Sequence, residues 1–163
     1  MTAGIDTHYA GFIAIPEDVR ELLEAPNYVH LSTLRADGSP RNHVVWAGLE
    51  GDYILVCTYG WYRKAQDMYR DPRVALSVTD LANPYRMAAI QGRVLQTRPD
   101  EDYRHMDQLA LKYTSAPFPS REPGHVAFVI GATNAYQRTL GWFAHNPGTP
   151  GTSPIDEDGQ VTT

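Results

Sequence analysis

Between residues 28 and 58 the chain spells out two tight turns between strand-like runs, and this stretch limits the fold more than any other. YVHLSTLR (28–35) and RNHVVWAGL (41–49) mix apolar and polar residues at strand spacing and flank ADGSP, where Asp37 and Gly38 supply the turn chemistry of a hairpin. A second turn, EGD at 50–52, leads into YILVCT. Three antiparallel strands in a meander are therefore expected. Further strand signals follow in VALSVTD (74–80), in YRMAAIQGRVLQT (85–97) and in HVAFVIGATNAYQRTLGWF (125–143), where Val126, Phe128 and Ile130 alternate with their neighbours. Gly92, inside the second of these runs, predicts a bulge or a close backbone contact.

Helical periodicity is confined to three short pieces. PEDVRELLEA (16–25) opens with Pro and two acids and places Val19, Leu22 and Leu23 on one face. RKAQDMYR spaces Ala65, Met68 and Tyr69 for one face and stops before Asp71-Pro72. DEDYRHMDQLALKY (100–113) starts at Asp100, an expected N-cap, and sets Met106, Leu109 and Ala110 on one stripe. About six strands with three short helices, and no βαβ alternation, predict a mainly β, antiparallel barrel with helices at its ends. GxGxxG and GxxxxGK[ST] motifs are absent, which argues against dinucleotide-binding Rossmann and P-loop chemistry.

With 163 residues, 42% hydrophobic and 20% charged, the chain is expected to form one domain over 16–143, preceded by an arm (1–15) and followed by a disordered tail (144–163) of almost no apolar content. No apolar run approaches the roughly 18 to 20 residues that span a bilayer. MTAGIDTHYAGF lacks the basic and apolar regions of a signal peptide, so a cytoplasmic location without membrane attachment is expected. A net charge of −5 argues against nucleic acid as a partner. Cys57 has no second cysteine to pair with and reads as a small buried hydrophobe. The six histidines show no metal-ligand spacing, so no metal is expected.

The segment TYGWYRKAQDM carries the most chemistry. Gly60 bends the chain after a strand, and Arg63 and Lys64 fall at the start of a helix, where free backbone N–H groups and two cations can converge on an anion such as a phosphate. The same pair also suits a solvated basic helix surface, and pattern alone leaves both readings open.

Taken in order, the helix, STLRADGSPRNHVVW, the YILVCT strand, RKAQDMYRDPRVAL and AAIQGRV resemble the pyridoxamine 5′-phosphate oxidase-like superfamily of split β-barrels, in particular its F420-dependent (deazaflavin) oxidoreductases. The resemblance runs from about residue 16 to 143. It implies that Lys64, with Arg63 beside it, binds the cofactor phosphate, that Arg41, Asn42, His43, Val44 and Val45 run along the tricyclic ring, and that Thr58 and Gly60 sit near the phosphate end. It further implies a homodimer in which Tyr85 and Met87 reach the partner's cofactor. Trp142 and His145 are present near the end, but the arginine-rich clamp of vitamin B6 oxidation is not, nor are the Arg and Lys expected on the 41–48 strand. F420 is the expected cofactor, with FMN as the alternative. The implied reaction is hydride transfer to an activated double bond of a small-molecule acceptor, an enone, quinone or tetrapyrrole-like compound; a non-catalytic cofactor- or haem-binding protein is the competing class. No catalytic side chain is singled out, Tyr59, Tyr62 and Tyr85 being equivalent candidates to donate a proton. The acceptor cavity is expected among loops around Asn83, Phe118 and Trp142.

Overall fold

A computed structural model describes residues 11–139. In chain order these form α1 (Glu17–Glu24), β1 (Val29–Leu34), β2 (Pro40–Val45), β3 (Gly48–Glu50), β4 (Tyr53–Tyr59), α2 (Arg63–Arg70), β5 (Arg73–Thr79), β6 (Arg86–Pro99), α3 (Arg104–Thr114) and β7 (His125–Thr139). The strands make one antiparallel sheet in the order β2-β1-β5-β6-β7-β4-β3. The two terminal strands of that order are β2 and β3, yet only Trp46 and Ala47 separate them in the chain. Three peptide steps reach no more than about 11 Å, so the sheet edges must meet at this point and the sheet must curl on itself. Among the described residues β2 and β3 do not pair with each other, which leaves the barrel split.

This closure corrects the expected meander. The run 41–49 is one strand by pattern, but its first half pairs with β1 (Val45 opposite Val29) and its second half with β4 (Gly48 opposite Leu55). The strand count is accordingly seven. Gly92 meets both expectations for it: the β6–β7 register shifts at Gln91/Gly92, and a Cβ there would lie 2.6 Å from the Gly131 carbonyl oxygen.

Alternation decides what each strand contributes. Val29 and Leu31 of β1, Leu76 and Val78 of β5, Ile54 and Val56 of β4, and Ala88 and Ile90 of β6 point inward to one core, which α1 seals with Val19, Leu22 and Leu23 and α2 with Ala65 and Met68. On the opposite face of β4 and β7, α3 packs Met106, Leu109 and Ala110 as a second layer. Cys57 is half-buried, not fully buried as expected, and desolvation raises its thiol pKa. Trp142, His145 and the expected tail lie outside the described residues.

Candidate functional site

The α2 helix begins right after β4, turned by Gly60, whose N–H donates to the Gly124 carbonyl at 2.9 Å. A Cβ on Gly60 would come within 3.1 Å of the Tyr69 hydroxyl, so the turn runs close to the helix it starts. Trp61 then lies against Gly124 and stacks on Tyr59 at 4.7 Å. Tyr62 takes the N-cap position with extended backbone and offers no side-chain cap. The N–H groups of Arg63, Lys64 and Ala65 consequently find no acceptor among the described residues, and the first turn holds no acid. Arg63 is exposed. Lys64 makes no ion pair with a described residue; its Nζ lies 4.9 Å from the centre of the Tyr62 ring, and burial pulls its pKa down.

The edge strand β2 faces this helix. Register with β1 puts Arg41, His43 and Val45 on the inner side, opposite Thr33, Leu31 and Val29, while Asn42 and Val44 point outward. Asn42 donates to Ser32 Oγ at 2.8 Å, and Val44 is 60% exposed. Arg41 Nε donates to Asp67 Oδ2 at 2.7 Å. Asp67, only 3% exposed, also accepts from Thr33 Oγ1 (3.0 Å) and from Arg70 Nη2 (2.9 Å). Burial pushes the Asp67 carboxyl up, but the bonds from Arg70, Arg41 and Thr33 outweigh it and hold the group below its ordinary value. For His43, burial lowers the pKa first, and the charges of Lys64 and Arg41 lower it further against the pull of Asp67. The imidazole is neutral near pH 7, and its buried Nε2 has no hydrogen-bond partner among the described residues. Thr58, at the end of β4, is buried on the same side as Val56.

Arg41, His43, Thr58, Gly60, Arg63 and Lys64 thus share one end of the barrel. Tyr85 and Met87 do not join them. Met87 pairs with Thr79 near the level of Val29 and Val45, three strands from β2, which is about 14 Å across the sheet. Of the three tyrosines that could give a proton, Tyr59 is engaged elsewhere: its hydroxyl lies 2.8 Å from Ser120 Oγ and 3.2 Å from the Tyr103 hydroxyl, on the α3 side of β4. Sequence reasoning passed over Asp67, whose signal was an acid inside the buried Ala65–Met68 stripe.

Among the described residues, three N–H groups without acceptors, two cations without acidic partners and a neutral imidazole make this end of the barrel suited to an anionic group. β2 adds a strand edge that no described strand pairs, with main-chain donors and acceptors that a heterocycle could meet.

A search of curated proteins finds no match to the sequence. Among solved structures, an F420 reductase is 30% identical, with 75% of this chain and 98% of that chain covered and a TM-score of 0.69. A conserved hypothetical protein from Mycobacterium tuberculosis (18% identity, 80% and 88% covered, TM-score 0.63) and General Stress Protein 26 from Bacillus anthracis (18%, 75% and 92%, TM-score 0.59) share the fold. The sequence profile of the family described as pyridoxamine 5′-phosphate oxidase matches residues 15–139. With that match running from the start of α1 to the end of β7, the chain belongs to the pyridoxamine 5′-phosphate oxidase family of split β-barrels.

Proposed function

We propose that the protein is an F420-dependent oxidoreductase that reduces an activated double bond in a small-molecule acceptor. The observation that carries this reading is the open start of α2, where the Arg63, Lys64 and Ala65 N–H groups and the Lys64 ammonium meet no anion among the described residues. The 30% identity to an F420 reductase supports the deazaflavin over other phosphate-bearing cofactors. Family membership supports FMN as the second reading.

In this proposal Lys64 and Arg63, with the α2 amides, bind the cofactor phosphate, and Thr58 and Gly60 line the approach. Arg41, steadied by Asp67, adds a cation. Asn42 to Val45 present the strand edge to the ring, and the His43 Nε2 finds there the partner it lacks. When bound, the reduced deazaflavin supplies a hydride to one carbon of the acceptor's double bond, and a proton from solvent completes the other. The protein orients the two reactants and excludes water, which requires no nucleophile of its own. In this proposal Tyr85 and Met87, three strands from β2, serve the cofactor of a second protomer in a homodimer.

Titration of the purified protein with F420 and with FMN, followed by tryptophan emission, tests the reading, because Trp61 sits directly before α2. Micromolar F420 binding with weaker FMN binding is expected. Tight FMN binding moves the assignment to the flavin enzymes, and binding of neither overturns the cofactor proposal.

A further inference from the structure

We infer that the aromatic pocket at the far end of β2 is the seat of a flat, uncharged ring, and, resting on the reading above, that the acceptor carries such a ring. The pocket has a volume of about 270 Å³ and is lined by Tyr28, Val44, Val45, Trp46, Met106 and Phe118. Among the described residues, no carboxylate, ammonium, guanidinium or imidazole lines it. The groove between α1 and α3 differs, since Glu24, His105 and Lys112 line it. A charged ligand in the aromatic pocket would lose water and gain no partner, whereas a neutral ring would exchange water for apolar and π surface.

The wall is built before any ligand arrives. Trp46 stacks on Tyr113 with ring centres 5.1 Å apart and planes 7° from parallel, and Phe118 stands edge-on to it at 6.4 Å and 86°. The backbone beneath is clamped from α3: the Tyr113 hydroxyl accepts from the Ala47 N–H at 3.2 Å and donates to the Asn27 carbonyl at 2.7 Å. Lys112 Nζ donates to the Ala47 carbonyl at 2.6 Å and to the Leu23 carbonyl at 2.5 Å. Trp46 therefore has little freedom to close over the space beside it. The mouth stays open, with Val44 and Tyr28 well exposed.

Position links the pocket to the anion-binding end. Arg41 and Val45 lie on one strand, four residues or about 13 Å apart, so the same free edge runs from the α2 site to the aromatic wall. A ring seated against Trp46 meets whatever lies along that edge.

The test uses one ring system with and without a charge. The protein without cofactor is titrated with 2-naphthol and with naphthalene-2-sulfonate, and the Trp46 indole N–H and Val44 methyl signals are followed by NMR. Saturable shifts with naphthol, and binding of the sulfonate at least ten-fold weaker, are expected. Val44→Lys, at an exposed site that tolerates a lysine, is expected to erase or reverse that preference, and Phe118→Ala to weaken naphthol several-fold. Equal affinity for both probes, shifts centred on Trp61 instead, or no binding overturns the inference. Trp46 shifts that follow protein concentration and not naphthol assign the face to a second copy and overturn it as well. Because the probes need no cofactor, failure here is separable from failure of the F420 titration.

Discussion

The starts of α2 and α3 pose the same electrostatic problem and solve it in opposite ways. Each helix leaves three first-turn N–H groups without a helical acceptor. In α3 the chain supplies the acceptors itself: Arg104 N–H donates to Asp102 Oδ1 at 3.3 Å, His105 N–H to Asp100 Oδ1 at 2.9 Å and Met106 N–H to Asp100 Oδ2 at 3.0 Å. Asp100 is fully buried and also accepts from His125 Nδ1 at 3.2 Å. In α2 the corresponding N–H groups of Arg63, Lys64 and Ala65 have no acceptor among the described residues, and the first turn carries two cations and no acid. A helix start filled by a buried carboxylate holds structure together, and one left open beside cations is available to an anion from outside.

The difference can be broken from the structural side first. Asp100→Ala strips two N–H groups and His125 of their acceptor at once, and a loss of about 3 to 5 kcal/mol is expected in urea unfolding, with cofactor affinity of the folded fraction little changed. Asp67→Asn is next, with an expected loss of about 3 kcal/mol, because Arg41 and Arg70 lose a buried carboxylate partner. Since the folded Asp67 pKa lies below its unfolded value, its contribution is present above the ordinary carboxylate range and is lost as pH falls through the folded pKa. The wild type and the variant should therefore draw together in stability as the pH is lowered below the ordinary carboxylate range. On the functional side, Lys64→Ala is expected to cost about 1.5 to 3 kcal/mol of cofactor binding, ten-fold or more in Kd, while leaving stability unchanged or slightly raised, since Lys64 is desolvated without an acidic partner. A Kd that does not move would return Arg63 and Lys64 to a merely solvated pair.

The smallest expected effect concerns Lys112. Burial pulls its pKa down to about 8, so between pH 8 and 10 the unfolded chain holds the proton more firmly than the folded one. Stability should rise gently with pH across that window, and Lys112→Met should flatten the rise. A falling wild-type curve over the same range would contradict this.

The start of α2 was legible in the sequence because Gly60 bends the chain three residues before the Arg63-Lys64 pair. The order of helices and strands was legible too, through turn residues such as Asp37-Gly38 and the alternation in 125–130. What escaped depends on contacts distant in the chain. Nothing in Trp46-Ala47 signals a break, since neither residue is a turn former, and the strand divides there only because the sheet closes. Asp100 was recognisable as a capping residue, but α3 starts four residues later, after Tyr103 turns into the left-handed region (φ 60°) and brings both carboxylate oxygens under the helix. The role of Asp67 went unread because its partners Thr33 and Arg41 lie 34 and 26 residues away in the chain.

The most direct test follows the backbone amides of Arg63, Lys64 and Ala65, and of Arg104, His105 and Met106, by NMR during titration with F420. The account predicts that the α2 amides shift and saturate together with the tryptophan signal while the α3 amides stay in place. Binding of F420 with the three α2 amides unmoved would contradict it.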